Sequence, residues 1–105
     1  MSTSGGKITD ALLAKLAENQ ALYARLKDDK QSQLDFIKGI REKISLASQD
    51  ALASSASSAR KARGLSDVKS LEQEAEAAED KVKALEGRME EIQNEIKEFE
   101  ELLKG

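Results

Sequence analysis

The chain has 105 residues with no cysteine, histidine, proline or tryptophan; 35% of it is charged, 3% is aromatic, and the net charge is −3. This composition excludes a disulfide framework, a nucleophilic thiol and metal ligation by thiolate or imidazole, and it removes the one side chain whose ordinary titration falls near neutral pH. Dominated by Ala, Leu, Glu, Lys and Ser, it predicts an all-α protein, either an antiparallel helical hairpin or a three-helix bundle with coiled-coil packing.

Residues 1–7, small and polar up to Lys7, read as a flexible N-terminal tail, with a single helical domain over 8–105. The tail carries neither the apolar stretch of a signal peptide nor a glycine at position 2 for myristoylation. No run in the chain approaches the roughly 18 consecutive apolar residues of a membrane span. A soluble, cytoplasmic protein is the expectation.

Thr9 or Asp10 can cap a first helix, expected over about 9–27, in which Leu12, Leu16, Tyr23 and Leu26 recur at helical spacing. The apolar pattern lapses around Asp28 and Asp29, and a second helix is expected over about 30–62. No glycine or proline compels a break there. Counted in sevens, Leu12, Leu16, Asn19, Tyr23, Leu26, Lys30, Gln33, Ile37, Ile40, Ile44, Ala47 and Ala51 form one seam with three polar interruptions, so one continuous helix is the alternative. Leu34, Phe36 and Leu46 widen the apolar face around Ile37, Ile40 and Ile44. That width predicts contact on two sides, as in a three-helix bundle or a hairpin paired with another hairpin.

From Ser45 to Ala62 the sequence becomes an Ala/Ser repeat, readable as a flexible linker or as a helix of small residues. As a helix turning back at Gly64, it would set Ala47, Ala51 and Ala56 beside Ala75 and Ala78. The same register would set Ile44, Ile40 and Ile37 near Leu85, Met89 and Ile92, and Lys30 near Glu98 or Glu101. In this reading Gly64 closes the helix in a left-handed conformation, and Ser66 or Asp67 caps the next one. Arg60, Lys61 and Arg63 then sit at the negative end of the helix they terminate, which accounts for them without a ligand. The competing reading is an anion-binding tip.

The third predicted helix, about 66–104, is the most regular. Val68, Leu71, Ala75, Ala78, Val82, Leu85, Met89, Ile92, Ile96, Phe99 and Leu103 alternate three and four apart, an unbroken heptad seam on an acidic helix. A parallel homodimer of this helix would oppose Glu74 to Glu79 and Glu95 to Glu100, against one favourable pair, Lys81 with Glu86. Antiparallel packing within the chain avoids both clashes. The helix-interface residues are therefore Ile37, Ile40, Ile44, Leu71, Leu85, Met89, Ile92, Ile96, Phe99 and Leu103, with Leu102, Leu103 and Phe99 forming a docking end where this helix outruns the first.

No motif points to catalysis. Ser66-Asp-Val-Lys69 spells a Ser-x-x-Lys dyad without the other elements such enzymes need, and Gly5-Gly6-Lys7 lacks the strand and the Ser/Thr of a phosphate loop. The carboxylates fall on outward positions of narrow helices, without the partly desolvated pocket that a general acid or base needs. The expectation is no enzyme and no cofactor. Nucleic acid is disfavoured as a partner by the acidic helix, since Tyr23, Phe36 and Phe99 lie in or beside the apolar stripes, and a membrane surface is disfavoured by the sparse basic residues. The predicted function is a non-enzymatic coiled-coil assembly or adaptor subunit that binds protein partners through helices, a second copy of itself included. The alternative is a small holdase that shields a client.

Overall fold

The structure is a computed structural model that describes residues 3–53 and 55–105, with side chains described from Gly6 onward. It contains two helices, α1 (Thr3–Ala51) and α2 (Ser58–Lys104), packed as an antiparallel hairpin, and no strand among the described residues. The fold is thus all-α, but no third helix is formed among the described residues. The break expected near Asp28 and Asp29 does not occur, because neither aspartate is followed by a residue that cannot extend a helix, and the seam stays in phase across them. Residues 3–7, read as tail, and Thr9 and Asp10, read as caps, all lie within α1.

The seam positions are the sheltered ones on both helices. On α1 every residue from Leu12 to Ala51 in the seven-residue count is at least half-buried, including the polar Asn19, Lys30 and Gln33. On α2 the same holds for each of the eleven positions from Val68 to Leu103. The most buried apolar side chains are Ile37, Ile40, Ala51, Ala75, Ala78, Val82, Met89 and Ile92. Packing is thin, since no described side chain is fully enclosed.

The hairpin contains two compact units. One comprises 1–30 and 84–105, the other 31–83. In the first, Asn19 Nδ2 donates to Glu95 Oε2 at 3.0 Å and Lys30 Nζ lies 3.5 Å from Glu86 Oε1. In the second, Ile37 clusters with Ala78 and Val82, Arg41 pairs with Glu79, and Arg60 pairs with Asp50.

These pairs correct the register. Lys30 meets Glu86 instead of Glu98 or Glu101, and Ile37 packs on Ala78 and Val82 instead of beside Ile92, because α1 ends at Ala51 and α2 begins at Ser58, ahead of Gly64. The apolar seam alone could not decide this, since sliding one helix by a whole number of heptads leaves seam residues facing seam residues. Charge decides it. On the flank of the hairpin that carries Asp50 and Arg60, stepping seven residues along each helix places Lys43 opposite Asp67. A turn at Gly64 would instead have set Asp50 against Glu74 and Lys43 against Lys81 on that flank, like charges in both cases.

The connection is built from the Ala/Ser run, which is neither all helix nor all linker. Leu52 N–H donates to Ser48 O at 3.0 Å and Ala53 N–H to Asp50 O at 3.4 Å, ending α1. Ala56 N–H donates to Ala53 O at 3.0 Å, which closes a turn. Ser57 caps α2, its Oγ accepting from Arg60 N–H at 3.2 Å while its carbonyl accepts from Lys61 N–H at 2.9 Å. Gly64, expected to close a helix with positive φ, lies inside α2, and no described glycine has positive φ. Its role is close approach. A Cβ built there would lie 2.5 Å from Ala51 Cβ and 3.3 Å from Ala51 Cα, so only glycine lets the start of α2 reach the end of α1.

Candidate interaction surfaces

Of the residues assigned to the helix interface, Ile37, Ile40, Met89 and Ile92 are buried, and Ile44, Leu71, Leu85, Ile96, Phe99 and Leu103 are half-buried. All ten are spent on the seam. The surface open to another molecule is therefore the apolar residues beside it, namely Ile8, Leu13, Leu34, Phe36, Leu46, Leu52, Leu65 and Leu102. Leu102, assigned to a docking end of α2, is 62% exposed, whereas Phe99 and Leu103 are half-buried in their seam.

In the unit formed by 31–83, two flanks differ in character. The Arg41/Glu79 flank holds an open groove of 610 Å³ with Glu72, Glu76, Glu79, Asp80, Arg41 and Lys83 on its walls. Its neighbour, a shallow apolar notch, is formed by Leu34 and Ile37 with the aliphatic stems of Lys38 and Arg41. The opposite flank carries the Asp50/Arg60 pair. By heptad count it also carries Phe36, Gly39, Lys43 and Leu46 from α1, and Asp67, Ser70, Glu74 and Ala77 from α2. Phe36 is 52% exposed and Leu46 67%, and a Cβ at Gly39 would meet nothing within 4 Å.

The basic cluster lies elsewhere in the fold than expected. Arg60, Lys61 and Arg63 open α2, at the positive end of its dipole, so the dipole no longer accounts for them. Arg60 is held by a carboxylate of its own chain. Its Nε donates to Asp50 Oδ2 at 3.2 Å and Nη2 pairs with Oδ1, and this hydrogen bond and charge contact raise the guanidinium pKa above its ordinary value. Lys61 and Arg63 are exposed. Three basic residues in sequence thus make two outward charges and one intramolecular clamp across the connection.

Among the described residues no helix is long and apolar enough to cross a membrane, and no group of acidic side chains is arranged to hold a metal ion. Comparison with family models, curated proteins and solved structures returns no match for this chain.

Proposed function

We propose that this chain is a non-enzymatic coiled-coil subunit that acts in assembly or as an adaptor, binding protein partners along its helices, with the cytoplasm as its site of action. The observation that carries the reading is the exposure of Phe36 and Leu46 beside a seam already filled by the chain's own two helices. An added helix on that face would turn the two-helix hairpin into the larger bundle that the wide apolar stripe of α1 predicts. The test is site-specific photo-crosslinking in the source cells, with the probe at Phe36, Leu46 or Leu102 and at the solvated control Glu90. Discrete protein adducts from the apolar sites and none from Glu90 are the expected result. Adducts no different from the control would refute the proposal.

The holdase reading draws on the same exposed side chains, spread over both flanks. It requires suppression of client aggregation at near-stoichiometric amounts, independent of any one site. An adaptor would lose its partner on a single charge substitution at that partner's site and would not protect an unfolded client.

A further inference from the structure

We infer that the hairpin opens in two steps: residues 8–30 of α1 form a strap that lifts from residues 84–103 of α2 as one unit, while the unit containing the connection stays closed. This goes beyond the assembly reading and stands independently of it.

Burial differs between the two units. In the first, no described residue of α1 is buried, and Leu12, Leu16, Asn19, Tyr23, Leu26 and Lys30 are all half-buried. In the second, α1 contributes Ile37, Ile40 and Ala51 to the most buried side chains, and Ala75, Ala78 and Val82 answer from α2. Apolar stabilisation follows the area removed from water, so the strap is held less firmly than the part of α1 that follows it.

The strap's own residues explain the difference. Two of its six seam positions are polar, and each pairs with a carboxylate beside the α2 stripe, Asn19 with Glu95 and Lys30 with Glu86. Those carboxylates adjoin Ile96 and Leu85 in sequence, and both apolar neighbours are only half-buried. Polar pairs open to solvent contribute little. On the α2 side the seam from Leu85 to Leu103 is apolar at every position. A continuous stripe therefore meets a cover that is interrupted twice.

Chain connectivity sets the order of the steps. The cross-helix pairs of the second unit join residues 10 and 38 positions apart, Asp50 with Arg60 and Arg41 with Glu79. Asn19 and Glu95 are 76 apart. Closing the long loop first costs more entropy than closing the short one and building on it, so the first unit forms on the second and leaves before it. Once lifted, each arm is a helix without tertiary support, which is marginal in water at this length, and its amides exchange. The open state bares the α2 stripe from Leu85 to Leu103, so apolar residues that the closed hairpin uses for itself become available in a minor state.

The test is native-state amide hydrogen exchange on the full chain, at one fixed protein concentration and a series of low urea concentrations. Amides at 16–26 and 89–96 are expected to exchange at least about 10-fold faster than those at 37–47 and 75–82, through an opening whose urea dependence is smaller than that of global unfolding but not zero. Ile40→Val, in the second unit, should speed exchange at 37–47 and 75–82 about fivefold and leave 16–26 and 89–96 unchanged. Ile92→Val, in the first unit, should speed both sets, because global unfolding includes the first step.

Thiol labelling reads the same opening without amides. The chain has no cysteine, and Ile40 and Ile92 are each 3% exposed, so Ile40→Cys and Ile92→Cys begin equally covered. Ile92→Cys is expected to react with an alkylating reagent at least about 10-fold faster than Ile40→Cys. Faster exchange of both amide sets in Ile40→Val would make the hairpin one cooperative unit and overturn the inference. Urea-independent exchange that changes residue by residue through 16–26 would reduce the opening to fraying and overturn it too. So would labelling of Ile40→Cys as fast as Ile92→Cys.

Discussion

Replacing Gly64 with alanine sets two opposed effects against each other inside one helix. Alanine is favoured over glycine in a helix interior by about 1 kcal/mol, so the substitution should stabilise α2 if nothing else is touched. At Gly64, however, the new Cβ would sit 2.5 Å from Ala51 Cβ and 3.5 Å from Ala47 O. Carbon atoms in good contact are about 3.5–4.0 Å apart, so the end of α1 and the start of α2 must separate by about 1 Å or more, or Ala51 must shift with its backbone. Overpacking of this kind costs about 1–3 kcal/mol. The net expectation is no gain to about 2 kcal/mol of loss. Gly87 is the matched control, since it lies in the same helix and a Cβ there would meet nothing within 4 Å, and Gly87→Ala should gain about 0.5–1 kcal/mol. Thermal unfolding followed by circular dichroism, at one fixed protein concentration because association shifts the midpoint, reads the difference. For a chain of about this size each kcal/mol moves the midpoint by about 4–8 °C. Gly87→Ala should melt higher than wild type and Gly64→Ala no higher. Equal gains at both positions would show that α2 does not approach α1 closely at Gly64.

The polar layer of the seam can be probed at Lys30, whose side chain is 32% exposed beside Glu86. Lys30→Leu should raise stability by about 1–2 kcal/mol in urea unfolding, because an apolar side chain gains burial while Glu86 returns to water. A loss would mean that the ion pair contributes more than it costs to desolvate. Removing the hydroxyl that caps α2, by Ser57→Ala, should cost about 1 kcal/mol and speed amide exchange at Arg60, and unchanged exchange there would refute the cap. On the Asp50/Arg60 flank, Lys43→Glu should destabilise by about 0.2–1 kcal/mol and Asp67→Lys in the same chain should restore it; additive losses in a double-mutant cycle would show that the two positions are not opposed.

The sequence makes the two seams legible and leaves the connection and the register hidden, for one physical reason. Apolar periodicity reports which face of a helix is buried, so Leu12 to Ala51 and Val68 to Leu103 could be read position by position. It is blind to sliding by a heptad. The register is marked by the cross-helix pairs Asp50 with Arg60 and Arg41 with Glu79, whose charges are written in the sequence and carry no weight until the helices are known to be antiparallel. Gly64 misled because a glycine between helical patterns usually closes a helix, whereas here Ser57 supplies the stronger cap earlier in the chain, in a stretch whose Ala and Ser residues suit helix and turn equally. The outward face was half legible. Leu34, Phe36 and Leu46 marked a helix with more apolar surface than one neighbour needs, and the structure shows those side chains open while the residues named for the interface are consumed within the chain.

The Asp50/Arg60 clamp ties the two helices together beside the connection. Lengthening only one arm by a heptad would leave its new end without a counterpart, while lengthening by any other number beyond the clamp would rotate the seam out of phase. Kin of this chain that differ in size are therefore expected to have gained or lost residues in matched blocks of about seven on both arms at once, a pattern of paired insertions and deletions that would be visible in sequence before any of their structures were known.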